Sequence, residues 1–280
     1  MNKDMLPSPQ AGARNRAIAA FRVVGLVGLA GSVAFAPAQI ALARNAVVAQ
    51  ASPATPAPAN PLATTPTLPN QLAAPGVGKV AAITIVASAK TAMTPAYDSP
   101  TATRPFTTFN NKTNFSGRHV FIVLAQQGDS FKVLLPMRPN GRTGYVKVKD
   151  VNLFKHDYAA VVSLSAKTLT LYKAGAEVLK DTVAVGSAKY PTPLGSFFMR
   201  ELARPRNPRG AYGPWAFGLS AYSNVLQTFG RGDGQIGIHG TNQPGLLGQG
   251  VSHGCIRMRN ATIVKLANIL PQGVPVDIVA

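Results

Sequence analysis

The stretch Ile236–Met258 (IGIHGTNQPGLLGQGVSHGCIRM) holds the only cysteine of the chain, Cys255, and two of its four histidines, His239 and His253. Nucleophilic thiol chemistry needs a base to take or hold the proton and a group that orients that base. It also needs backbone N–H donors aimed at the oxyanion that develops on the substrate. His239 is the candidate base. Gly254 permits a tight turn before Cys255, which would expose the N–H groups of His253, Gly254 and Cys255. A cationic imidazole nearby would favour the thiolate. A lone cysteine is more often a small buried hydrophobe, but this one sits in a polar, glycine-flanked segment. With Met258, the same residues have the ligand types of a blue-copper site. Such sites place a histidine between the cysteine and the methionine, and none lies there, so neither metal nor cofactor is expected.

Chain order narrows the chemistry. No histidine follows Cys255, which excludes the cysteine-first order of papain-like cell-wall endopeptidases. Arg257 would suit the order of a sortase, but the Thr-Leu-x-Thr-Cys motif of those enzymes is absent. Three motifs occur in sequence: Thr192–Phe197 (Thr-Pro-x-Gly-x-Phe), His239–Asn242 (His-Gly-Thr-Asn) and Ser252–Met258 (Ser-His-Gly-Cys-Ile-Arg-Met). Together they make residues 157–280 resemble the L,D-transpeptidase catalytic domain. The resemblance implies that Cys255 is the nucleophile and His239 its base, with the Gly240 carbonyl fixing the imidazole tautomer. It implies oxyanion donors at His253, Gly254 and Cys255, and substrate-binding or supporting roles for Ser252, Arg257, Thr241 and Asn242. The implied reaction attacks a peptidoglycan tetrapeptide stem, expels its terminal D-Ala and passes the acyl group to a neighbouring stem as a 3→3 cross-link. Carbapenems would acylate the same thiol. Water as acceptor would make the enzyme an L,D-carboxypeptidase, and a non-catalytic wall-binding protein is the alternative of another class.

Several elements must position these residues. Val161–Leu164 and Thr168–Tyr172 read as strands joined by a polar turn, and Val178–Val185 continues the sheet. Pro191–Phe197 is a rigid turn into a further strand. Residues 204–234 form a Gly-, Pro-, Arg- and aromatic-rich segment too long for an idle connection, with Tyr212, Trp215, Phe217 and Tyr222 as lid or core aromatics. Asn260 is placed to N-cap a helix with Ile263, Leu266, Ala267 and Leu270 on its apolar face, ended by Pro271 and Gly273. Val274–Val279 is the last strand.

Upstream, Val80–Ala87, Val120–Ala125, Phe131–Leu135 and Tyr145–Lys149 are strand-like, with a hairpin turn at Gly128-Asp129-Ser130. Five short strands are expected over 77–156, and the run VLLPMRPNGRTGYVKVKDV resembles bacterial SH3-like modules of cell-wall proteins. The expected fold class is mainly β: a small SH3-like β-barrel followed by an L,D-transpeptidase-type β-sandwich or barrel with one or two short helices.

Residues 44–76 are an Ala/Pro/Thr-rich spacer that cannot build a core. Residues 1–43 have the basic, apolar and small-residue regions of a secretory signal peptide, or of an uncleaved membrane anchor. The predicted location is therefore the extracytoplasmic side of a bacterial envelope. Lys and Arg number 28 against 10 Asp and Glu, a net charge of +18. Such charge calls for a polyanionic neighbourhood. Export tells against nucleic acid, and no nucleic-acid-binding motif is present, so the expected partners are stem peptides and anionic wall polymers. A single cysteine also excludes an internal disulfide framework.

Overall fold

The computed structural model describes residues 83–110, 118–230 and 232–280. The expected signal segment, the spacer and Val80–Ala82 lie outside the described residues. Among the described residues no helix is long and apolar enough to cross a membrane.

Among the described residues up to His156 there are seven strands, rather than five: β1 (Thr84–Ala89), β2 (Met93–Ala96), β3 (Thr107–Asn110), β4 (Val120–Gln127), β5 (Ser130–Leu134), β6 (Thr143–Lys147) and β7 (Val151–His156). Five of them form an antiparallel sheet in the order β6-β5-β4-β1-β7, and β2 pairs with β3 as a separate ribbon. Gly128, at φ +55°, makes the hairpin turn between β4 and β5. Ala87, Phe121, Val123 and Phe131 pack on one face of this sheet, and Val86, Val120 and Ile122 on the other. Burial on both faces explains why β4 reads as a continuous apolar run, VFIVLA, instead of an alternating one.

The rest of the chain contributes β8 (Tyr158–Ser163), β9 (Thr168–Lys173), β10 (Ala176–Thr182), β11 (Val185–Gly186), β12 (Gly195–Ala203), β13 (Ala216–Tyr222), β14 (Gln235–His239), β15 (Gly250–Ser252), β16 (Ile256–Arg257), helix α1 (Asn260–Ile269) and β17 (Pro275–Val279). Eight strands form a mixed sheet in the order β10-β9-β8-β17-β12-β13-β14-β16, in which β8–β17 and β14–β16 are parallel pairs. The expected strand Val178–Val185 is split: β10 stays in the sheet, whereas β11 leaves it to pair with β15. The long segment 204–234 is also not a single loop. β13 runs through its middle and leaves two loops, 204–215 and 223–234.

Strand alternation ties the two sheets together. Phe197 and Met199 belong to the core of the mixed sheet, while Phe198 between them turns to the opposite face and packs with Val86, Val120, Ile122 and Leu134 of the first sheet. Helix α1 covers the mixed sheet with Ile263, Leu266 and Ala267, as its apolar spacing predicts, and ends at Ile269 with Leu270 as its C-cap, ahead of Pro271. Its N-cap is Arg259, not Asn260. The Asn260 side chain is committed elsewhere, accepting a hydrogen bond from the Thr241 N–H at 2.8 Å.

Candidate active site

His239 ends β14, and Cys255 directly precedes β16. The two strands are parallel neighbours, pairing Ile238 with Ile256 and His239 with Arg257. The Met258 N–H donates to the His239 carbonyl at 2.9 Å. This pairing brings the two segments side by side, and both side chains line one cleft of about 170 Å³.

His239 is 4 % exposed. Its Nδ1 lies 2.6 Å from the Gly240 carbonyl oxygen. A carbonyl only accepts, so Nδ1 carries the hydrogen and Nε2 keeps its lone pair. Burial, reinforced by the Arg257 charge and only partly opposed by the Gly240 hydrogen bond, lowers the His239 pKa to about 4. The imidazole is therefore neutral at pH 7, as a base must be, and the fixed cation beside the thiol is Arg257. The Cys255 thiol is half-buried. Burial pushes its pKa up, against a hydrogen bond from the Gly237 backbone and the pull of Arg257. Thiol and imidazole thus rest as a neutral pair.

The nucleophile loop is held from within. Gly254 has φ +116°, and a Cβ there would lie 2.8 Å from Ile236 Cδ1. The Ser252 hydroxyl donates to the Cys255 carbonyl at 2.6 Å and accepts from the Gly254 N–H at 3.0 Å. Ser252 is accordingly a buttress. The Gly254 N–H is already spent inside the loop, contrary to its expected place among the oxyanion donors. The Gly254 carbonyl accepts from Thr192 Oγ1 at 2.8 Å, and Thr192 Oγ1 accepts in turn from the Gly186 N–H at 2.8 Å. This gives the Thr-Pro turn its role: one buried hydroxyl joins three segments behind Cys255. Thr192→Val keeps the shape but leaves both partners unpaired, so it is expected to lower stability by about 2–3 kcal/mol. Urea denaturation would check this.

Thr241 and Asn242 are not on the cleft wall. Thr241 is buried, with its N–H on Asn260 Oδ1 and its Oγ1 accepting from the Gln243 N–H at 3.0 Å, and Asn242 is exposed. They shape the turn after His239 and do not face the cleft. Gly240 packs so closely here that a Cβ would lie 2.3 Å from Asn260 Oδ1.

Residues the motifs did not single out complete the cleft. The Tyr212 ring lies 4.7 Å from that of His239, and Tyr190 and Phe229 flank the exposed His253 ring at 4.8 and 5.1 Å. Tyr212, Leu226 and Phe229 come from the two loops on either side of β13. The aromatic and arginine content of 204–234 was the available signal. Phe217 and Tyr222, by contrast, are buried. Arg257 is the only full charge among the described cleft-lining residues, and no carboxylate lines the cleft. The Arg257 Nε–H is buried with no hydrogen-bond partner. Among the described residues no three His, Cys, Asp or Glu side chains are grouped to hold a metal, and Met258 is fully buried in the core.

Residues 157–278 match the family model of the L,D-transpeptidase catalytic domain, YkuD. The chain is 39 % identical over 121 residues to the Bacillus subtilis (strain 168) protein named "Putative L,D-transpeptidase YkuD", a stretch covering 43 % of this chain and 65 % of that one. Its Bacillus licheniformis namesake is 38 % identical with the same coverage. The chain thus spans about two-thirds, 65 %, of the length of these relatives. Among solved structures, an L,D-transpeptidase from Mycobacterium tuberculosis H37Rv aligns with a TM-score of 0.39 at 17 % identity, over 58 % of this chain and 90 % of that one.

Proposed function

We propose that this protein is an exported cysteine acyltransferase that cross-links peptidoglycan stem peptides. The reading is carried by the meeting of His239 and Cys255 in one cleft, with the His239 hydrogen fixed on Nδ1. Cys255 Sγ attacks the carbonyl carbon preceding the terminal D-Ala, and its proton passes to His239 Nε2. The oxyanion is held by the N–H groups of His253 and Cys255. Collapse breaks the C–N bond, and D-Ala leaves as an amine carrying the proton that His239 returns. The side-chain amine of a second stem then attacks the thioester, gives its proton to His239 and forms the new amide. The proton on His239 finally returns to the thiolate, leaving Cys255 as a thiol. Arg257, with an unsatisfied N–H and no carboxylate beside it, would take a carboxylate of the stem. The signal segment and the basic charge support a place in the cell wall, and the N-terminal strands with their Pro/Asn/Gly turn support an SH3-like module.

Intact-protein mass spectrometry after exposure to a carbapenem tests the acylation step. One adduct, mapped to Cys255, is the expected result, and an unmodified protein overturns the reading. Incubation with purified tetrapeptide stems then separates acceptors. A 3→3 dimer with release of D-Ala is expected, and tripeptide alone would make water the acceptor.

A further inference from the structure

The loop 223–234 supplies Leu226 and Phe229 to the cleft wall, yet its described residues form no strand or helix of their own. Its root is closed by the Ser223 N–H donating to the Gly234 carbonyl at 2.8 Å. Within it stands a side chain from far away in the sequence. The Arg138 guanidinium donates to the carbonyls of Asp233 at 2.7 Å, Ser223 at 3.2 Å and Leu226 at 3.0 Å, and lies 4.7 Å from the Tyr222 ring centroid. A Cβ on Gly234 would come 2.9 Å from this guanidinium and 2.2 Å from the Leu226 carbonyl oxygen, so the loop is wrapped tightly around it. Two residues further on, Asn140 grips the Tyr222 backbone from both sides, donating to its carbonyl at 2.8 Å and accepting from its N–H at 2.9 Å. The Tyr222 hydroxyl donates back to the Pro136 carbonyl at 3.1 Å.

All of these donors and acceptors on residues 136–140 belong to the turn between β5 and β6 of the N-terminal sheet. A guanidinium has five donors in a rigid plane, which suits it to fix several carbonyls at once where an ammonium cannot. From these contacts we infer that Arg138, supported by Asn140, is a positioning residue for acyl-donor binding: the N-terminal sheet holds the cleft wall 223–234 in the shape that receives the stem. Through Leu226 the guanidinium sets the course of the chain to Phe229, which lies against His253 next to Cys255. The N-terminal sheet therefore takes part in recognising the substrate as well as supporting the fold. The inference rests on the acyl-transfer reading of the cleft.

The test uses the full chain and compares Arg138→Ala, Arg138→Lys and Asn140→Ala with wild type. Donor KM and kcat are measured with a tetrapeptide stem, alongside the rate of Cys255 alkylation by iodoacetamide, which is small enough not to need the wall. Removing uniform binding raises KM while leaving kcat alone, so Arg138→Ala is expected to raise the donor KM by about tenfold and change kcat by less than about twofold. Its alkylation rate is expected to stay near that of wild type, with Arg138→Lys intermediate in KM. A folded Arg138→Ala chain with a wild-type KM overturns the inference. So does a parallel fall in kcat and alkylation, which would mean general damage. Should Arg138→Ala fail to fold, the same criteria apply to Arg138→Lys and Asn140→Ala, for which wild-type KM values overturn it. A wild-type chain that turns over no tetrapeptide but alkylates normally refutes the functional reading instead.

Discussion

A chain carrying Cys255→Ala is expected to form no carbapenem adduct, and one carrying His239→Gln to form it roughly 10³-fold more slowly than wild type, the usual worth of a positioned general base. The two losses differ in kind. The first removes the atom that is acylated, so an unchanged adduct on Cys255→Ala would mean that another nucleophile reacts. The second leaves the thiol in place but strips it of its proton acceptor. Because burial raises the thiol pKa and lowers that of His239 to about 4, no thiolate–imidazolium pair stands ready at pH 7. The proton must move as the substrate is attacked, which makes the rate sensitive to the base. The pH profile separates this from a preformed ion pair. His239 loses its basic form only as pH falls toward about 4, so the acid limb of the acylation rate should lie near that value. An acid limb near the usual histidine value of about 6.5 would contradict this.

The same shift is a statement about folding. The folded pKa, about 4, lies below the ordinary 6.5, so the unfolded chain binds the proton more readily. The stability it contributes is complete above pH 6.5 and is lost as pH falls through the folded value. By pH 5 the loss is roughly 2 kcal/mol. His119 and His156 are also lowered, chiefly by burial, and act with the same sign. The His239 share is therefore the difference in acid sensitivity between wild type and His239→Gln. Denaturation midpoints at pH 7 and 5 would measure it.

How much of this could be read from the sequence depended on the range of the interactions. The chemistry of the nucleophile loop is local: Ser252, Gly254 and Cys255 satisfy one another within four residues, and the His239–Gly240 contact joins neighbours. The helix was legible through its apolar spacing, but its first residue was not. Asn260 looks like a cap, yet the turn after His239 draws its side chain away, and nothing near it in sequence shows this. β2 and β3 were missed because Pro95 and the polar TTFN segment give no strand pattern, and they pair only with each other. The charge state of the imidazole is not legible in the motif, because it depends on burial. The wall 223–234 was visible only as an odd composition, since its shape comes from Arg138 and Asn140, more than eighty residues away.

Phe198→Ala is expected to cost about 3–5 kcal/mol, the range for truncating a fully buried aromatic. Phe198 has no exposed surface and sits where β12 meets the apolar face of the first sheet, against Val86, Val120, Ile122 and Leu134. Around such a site the backbone of two hydrogen-bonded sheets has little freedom to close the cavity. The loss should therefore fall at the upper end of that range, and it should fall on the chain as a whole. Trp215, the only tryptophan, reports on the mixed sheet by fluorescence, whereas far-UV circular dichroism reports on both sheets. For two sheets that unfold as one unit, both probes must follow one transition, and Phe198→Ala must shift both midpoints equally. Separate transitions, or a Trp215 midpoint unmoved by the substitution, would show that the sheets unfold independently. Coincident transitions would mean that the wall held by Arg138 is only as stable as the whole, so that loosening the contact at Phe198 also loosens the cleft that receives the acyl donor.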